Sequence, residues 1–356
     1  MPKEMSMAEL LALTVSRKAS DLHIGDSVCP SLRIDGDLVY FSDQPFSHDY
    51  MMRLIKENLS EERLRLFEKE RELDYSFGIS GLGRFRVNLF YQRSSLAAAV
   101  RSLPYNPMNF EQLGLPVPVI ENIVSKPSGL VLVTGATGSG KTTTLASMIE
   151  HINMNQSVHM MTIEDPIEFV FKNKKSMVNQ REVGSDTHDF KNALKHVLRQ
   201  DPDVILIGEM RDLETIEIAL TVAETGHLVF ATLHTPDAVQ SLNRVIDVFS
   251  AHQQQQVKVQ LSFVLQAVIC QQLLPKVGGG LVLAAEIMLP NQAIRSLVRD
   301  SKSHQIYSVI QMGQKEGMRT LNMSLADLVK SGKVTKEMAI SRSSDIPELE
   351  RLLYSK

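Results

Sequence analysis

Residues 129–144, GLVLVTGATGSGKTTT, limit what this chain can become more than any other stretch. Leu130 to Val133 form a short apolar run between turn residues, the pattern of a strand buried on both faces. Gly135, Ala136, Thr137, Gly138, Ser139, Gly140, Lys141 and Thr142 then give the spacing G-x-x-x-x-G-K-T, and Thr143 leads into a helix. Leu145, Met148, Ile149 and Ile152 recur at helical spacing. Strand, glycine loop and helix make the context a phosphate-binding loop requires. Glycines let backbone N–H groups converge without Cβ clashes, and the helix N-terminus adds positive potential. In such a loop Lys141 reaches the β- and γ-phosphates and the Thr142 hydroxyl binds Mg²⁺. A chance glycine turn would not bring the flanking elements and the Lys-Thr pair with it. The expected ligand is a nucleoside triphosphate.

At 356 residues, two domains are expected, with room for an appended subdomain. A 43% hydrophobic and 22% charged composition is that of a soluble globular protein. No apolar stretch has membrane-spanning length and MPKEMSMAEL carries no signal-peptide pattern, so an intracellular protein is expected. Cys29 and Cys270 stand alone and read as reduced, structural thiols. A net charge of −3 without a long basic run leans against nucleic acid as a partner.

Residues 1–103 read as a small α+β domain. Leu32–Asp35 and Leu38–Phe41 flank an Asp35–Gly36 turn, a hairpin signal, and Ser60 is the expected N-cap of a helix. In GRFRVNLFYQR, Phe85, Val87, Leu89 and Tyr91 share one strand face, with Arg84, Arg86 and Asn88 on the other. Arg93 and Arg101 lie just beyond. Such arginines are either a solvated surface or fingers that reach a phosphate. Residues 104–128 hold Pro104, Pro107, Pro116, Pro118 and Pro127, a linker composition.

Residues 129–290 alternate strand and helix, which predicts a mainly parallel sheet. Helices are expected from Asp186 or Thr187 to Arg199, after a Thr235-Pro236 cap, and over Gln255–Leu274. Beyond Pro290 the pattern is helical to the end. Ligands of open α/β sheets bind past the carboxyl ends of the strands. Glu164, Glu209 and His234 each fall there, beside the loop. Glu209, after VILIG, takes the position of the carboxylate that serves Mg²⁺ through water, and Glu164 is the candidate to orient and deprotonate the attacking water, although the two roles are exchangeable. An intervening strand would hold His227 and His234 about 23 Å apart, so both cannot touch one phosphate. His234 is the candidate γ-phosphate sensor; His227, the other candidate of the histidine box, reads as structural or interfacial.

The boxes GATGSGKT, TIEDPIEF, ILIGEMRD and TGHLVFATLHT together resemble the secretion-ATPase superfamily, the motors of type II secretion and type IV pili. SDLHI, RFRVN and AIRSLVRD resemble its retraction motors, and AIRSLVRD departs from the motif A-I-R-N-L-I-R-E at Ser296, Val298 and Asp300. The resemblance covers nearly the entire chain. It implies a RecA-like P-loop core at 129–290, a PAS-like N-terminal domain at 1–103 and a helical C-terminal subdomain at 291–356. It also implies ATP and Mg²⁺, a homo-hexameric ring, and a cytoplasmic site at the inner membrane face. There the ring would act on the pilus platform protein, with an accessory retraction ATPase as a further partner and membrane association through partners only. Carried over by residue, Arg86 and Arg101 complete the site, and Ala293, Ile294, Arg295, Leu297 and Arg299 form the motor motif, the arginines i,i+4 on a charged face. The rival readings are an accessory retraction motor and an extension or secretion motor. Against the latter, two cysteines cannot build its four-cysteine zinc element, and residues 1–128 leave no room for its extra domain. A non-hydrolysing nucleotide switch is the rival from another class, and the pair Glu164 and Glu209 argues against it.

Overall fold

The computed structural model describes residues 5–34, 37–79, 81–103 and 107–354. The chain divides into two units: the described residues before Pro107 with Glu168–Val170, and the rest. The first contains α1 (Met7–Ser16), β1 (Asp21–Gly25), β2 (Val28–Ile34), β3 (Asp37–Tyr40), α2 (His48–Lys56), α3 (Glu61–Glu70), β4 (Glu72–Ile79), β5 (Gly83–Gln92) and β6 (Ser95–Leu103). Ser6, Ser47 and Ser60 cap the three helices by accepting a backbone N–H of the first turn. The strands form one antiparallel sheet in the order β3-β2-β1-β6-β5-β4. The β2–β3 hairpin is as expected; its Asp35–Gly36 turn lies outside the described residues. On β5, Phe85, Val87 and Leu89 are fully buried against Leu10, Leu11, Met51, Leu54 and Phe67, while Arg84, Arg86 and Asn88 alternate with them on the other face.

The second unit contains α4 (Phe110–Leu113), α5 (Val117–Val124), β7 (Gly129–Thr134), α6 (Lys141–Asn155), β8 (His159–Glu164), β9 (Met177–Glu182), α7 (Phe190–Val197), β10 (Val204–Ile207), α8 (Leu213–Glu224), β11 (Leu228–Leu233), α9 (Ala238–Asp247), α10 (Ala251–Val264), β12 (Leu265–Pro275) and β13 (Leu281–Met288). Then come α11 (Gln292–Arg299), α12 (Ile306–Met312), α13 (Leu321–Lys330), α14 (Lys336–Arg342) and α15 (Ile346–Tyr354). The seven-stranded sheet runs β13-β12-β7-β11-β10-β8-β9, parallel throughout except for the β12–β13 hairpin. Every residue of β7, β10 and β11 is buried, as strands covered on both faces must be. Among the described residues, no helix is long and apolar enough to cross a membrane.

Four expectations change. The stretch 107–128 is not a free linker: Phe110, Leu115, Ile120, Ile123 and Val124 are buried, each contributing about 1.5–3 kcal/mol over exposure, so it belongs to the second unit. The helix expected over Gln255–Leu274 ends at Val264, where Leu265 turns extended, and the next eleven residues form β12 between β7 and β13. Its apolar run fits either periodicity, and the two open strand edges decide for the sheet. α7 starts at Phe190, later than expected, because Asp189 supplies its cap. Asp237, not Thr235, caps α9, by accepting Gln240 N–H at 2.7 Å.

Candidate nucleotide site

The loop 135–140 joins the end of β7 to α6, in a conformation open only to glycine at its ends. At Gly135 φ is +140°, and a Cβ there would lie 2.4 Å from the Gln271 carbonyl oxygen and 2.6 Å from Ser139 Oγ. Gly140, the residue before α6, has φ +90° and no side chain to cap the helix, so the first-turn N–H groups face outward for an anion. Ala136, Thr137, Gly138 and Thr142 are exposed, and Thr143 is half-buried. Lys141 folds back onto the loop, its Nζ donating to the carbonyls of Gly135 at 2.7 Å and Ala136 at 3.1 Å. Burial lowers the lysine pKa and the Glu209 carboxylate opposes that fall.

Parallel register brings the carboxyl ends of β8, β10 and β11 to the same edge as the loop. Glu164 ends β8 and is 6% exposed. Its Oε1 accepts the Thr162 hydroxyl at 2.6 Å and Gln180 Nε2 at 3.3 Å, which orients the carboxylate. Gly208 lies flat against it, with the Glu164 Cα only 3.2 Å from where a Cβ would stand. Glu209 accepts Arg211 through both oxygens, at 2.7 Å each, and His234 Nε2 lies 3.1 Å from its Oε1. The Arg211 hydrogen bond holds the Glu209 carboxyl below the usual carboxylate range against the opposing effect of burial, with His234 adding to it. With both oxygens engaged, Glu209 fits a metal through a bridging water rather than directly. The Thr142 hydroxyl, exposed on the first turn of α6, fits the direct ligand position. His227 sits at the opposite end of β11, its Nδ1 3.1 Å from the Val222 carbonyl, which fastens the end of α8.

Next to the loop opens a largely apolar cleft of about 320 Å³. Met108, Leu113, Leu273 and Leu283 line it, with Thr143 at the loop side and Lys276 and Lys333 at the rim. These residues escaped the sequence reading because the segment 108–114 and the β12–β13 hairpin, far apart in sequence, each contribute only a few apolar residues. Only the apolar character of β12 and β13 hinted at them. Apolar walls beside a phosphate loop are what a heterocyclic base requires.

The model of the type II/IV secretion system protein family matches residues 4–341. The chain belongs to this family. It is 48% identical over 344 residues to the type IV pilus retraction ATPase PilT of Pseudomonas aeruginosa, covering 97% of this chain and 99% of that protein. To the type IV pilus ATPase PilU of the same organism it is 37% identical over 350 residues, covering 98% and 91%. A crystal structure of the pilus retraction motor PilT with bound ADP matches with a TM-score of 0.90 at 50% identity, covering 98% of this chain and 99% of that one.

Two further sets of residues in this secretion-system protein come from outside the loop edge. In the first unit, Arg86 and Arg101 face each other across β5 and β6. Arg101 Nε donates to Asp21 at 2.8 Å, and Arg86 Nη1 lies 3.9 Å from Glu168. In the second, the expected charged face of AIRSLVRD is turned inward at Arg295. Its guanidinium donates to the carbonyls of Ser262, Phe263 at 3.0 Å and Leu265 at 3.1 Å, closing the C-terminus of α10. Arg299 lies 3.4 Å from the Ser262 hydroxyl; Ile294 and Val298 are buried, Leu297 half-buried and Ala293 exposed. The backbone of α10 had no sequence signal pointing to Arg295.

Proposed function

We propose that this protein is an ATP-hydrolysing motor of type IV pilus retraction, working as a homo-hexameric ring on the inner-membrane platform of the pilus. The observation that carries the reading is the edge where Lys141, Glu164, Glu209 and His234 meet, in a chain 48% identical to PilT over nearly its whole length. On this reading the loop N–H groups and Lys141 hold the β- and γ-phosphates, and the apolar cleft takes the base. Mg²⁺, when bound, neutralises charge that develops on the phosphates, with the Thr142 hydroxyl and a Glu209-bound water as its protein-side ligands. Glu164, oriented by Thr162 and Gln180, aligns and deprotonates the attacking water. His234, anchored on Glu209, reports the γ-phosphate, and Arg86 and Arg101 supply the cationic side of the transition state. His227 has a structural part. Head-to-tail subunit contacts close into a ring, which multiplies one closure stroke into continuous work.

Retraction rather than extension is supported by the greater identity to PilT, and a principal rather than accessory motor by 48% identity to PilT against 37% to PilU. Deletion of the gene in its native cell tests this directly. Hyperpiliated, non-retracting cells are expected; bald cells would make it an extension motor.

A further inference from the structure

Glu286, in the middle of β13, is 3% exposed. Among the described residues, no lysine or arginine pairs with this buried carboxyl. Instead its Oε1 accepts the N–H of Ala238 at 2.8 Å. Ala238 is the first residue of α9, so the side chain closes a helix N-terminus, where a negative charge is favoured. The titratable groups that face it are Asp237 from α9, Cys270 opposite it on β12, and Tyr307 from α12. Burial raises its pKa to about 7.

What the carboxyl holds gives this arrangement its meaning. Ala238 lies four positions after His234. The turn between them is tied at its other side to the phosphate-loop strand: Thr235 Oγ1 stands 2.7 Å from Ser241 Oγ, and Ser241 Oγ 3.4 Å from Thr134 Oγ1. Beyond Glu286, β13 runs on to α11 and the Arg295 clamp. A single side chain therefore ties the histidine turn to the strand that leads into the C-terminal helices.

We propose that Glu286 is a positioning residue for hydrolysis, fixing the first turn of α9, and with it His234, relative to β13. This rests on His234 acting at the γ-phosphate, as argued above. The ionised carboxylate accepts the Ala238 N–H with either oxygen; protonation turns one oxygen into a donor that cannot.

The test uses the full chain and measures steady-state ATPase kcat and KM, and ADP affinity, for Glu286→Leu, Glu286→Gln, His234→Ala and the Leu/Ala double variant. Glu286→Leu is expected to lower kcat about tenfold or more while KM and ADP affinity stay within about twofold. The double variant is expected to match His234→Ala alone, since both lose the same placement. Wild-type kcat in Glu286→Leu beside an impaired His234→Ala would overturn the proposal and leave the His234 reading standing, as would losses that multiply in the double variant. Full activity of His234→Ala would instead remove the reading itself and the proposal with it. Should Glu286→Leu fail to fold, Glu286→Gln decides. It is expected to hold kcat at the wild-type low-pH level with no transition near neutrality; a pH profile superimposable on wild type would refute the role.

Discussion

Glu164 and Glu209 are both carboxylates at strand ends, and the proposed reading gives them different work. Glu164 is buried and accepts the Thr162 hydroxyl and the Gln180 amide, which fits a general base held in place for water. Glu209 is tied to a guanidinium and an imidazole, which favours the ionised form. Replacing Glu164 by Gln is therefore expected to lower steady-state phosphate release about 100-fold or more while ATP binding survives. Turnover at the wild-type rate would exchange the two roles, and equally negligible turnover in both proteins would favour a nucleotide switch. Arg211 holds the Glu209 pKa below its ordinary value, so the ionised carboxylate persists above that lowered pKa and is lost as pH falls through it. In Arg211→Ala the acid limb of the kcat profile should move to higher pH. A pH–rate titration of the two proteins reads the shift.

Elements were legible wherever local chemistry and packing agree. The sequence β7, glycine loop, α6 declares itself through Gly135, Gly140 and the buried stripe from Leu145 to Ile152. Ser60 marked α3 because a hydroxyl before acidic residues has few other uses. β12 was not legible, because Val268, Ile269 and Leu274 satisfy a helical period as well as a buried strand, and only the open edges of β7 and β13 choose. Arg295 was misread for a similar reason. Its partners are carbonyls of α10, and no side-chain pattern announces a carbonyl. This makes the two motif arginines unequal. Arg295→Ala should cost about 2 kcal/mol in denaturant unfolding, from carbonyls left without their charged donor. Arg299→Ala should stay within about 0.5 kcal/mol. Neither change should alter ADP affinity, and motility assays of Arg299→Ala then read the motif free of a folding defect.

At the scale of the whole molecule, the two units part at Pro107, inside the proline-rich stretch where the sequence places the boundary, and the rest of that stretch packs with the second unit. Asn109 opens α4 and Pro116 opens α5, and Phe110 and Ile120 on these helices are buried, so composition suggested a linker where the chain is packed. For a ring whose subunits share sites, ATPase activity per subunit should fall on dilution, in step with the loss of hexamer by sedimentation or native mass. Constant specific activity in a fully dissociated sample would show that hydrolysis does not need the ring. The strand order has a last consequence. Counted outward from β7, the hydrolytic groups come from β11, β10 and β8 on one flank, and the apolar cleft from β12 and β13 on the other. On the proposed reading, a nucleotide lying across the loop strand has its γ-phosphate on one flank of the sheet and its base on the other, so the two products of cleavage part towards opposite sides of one strand.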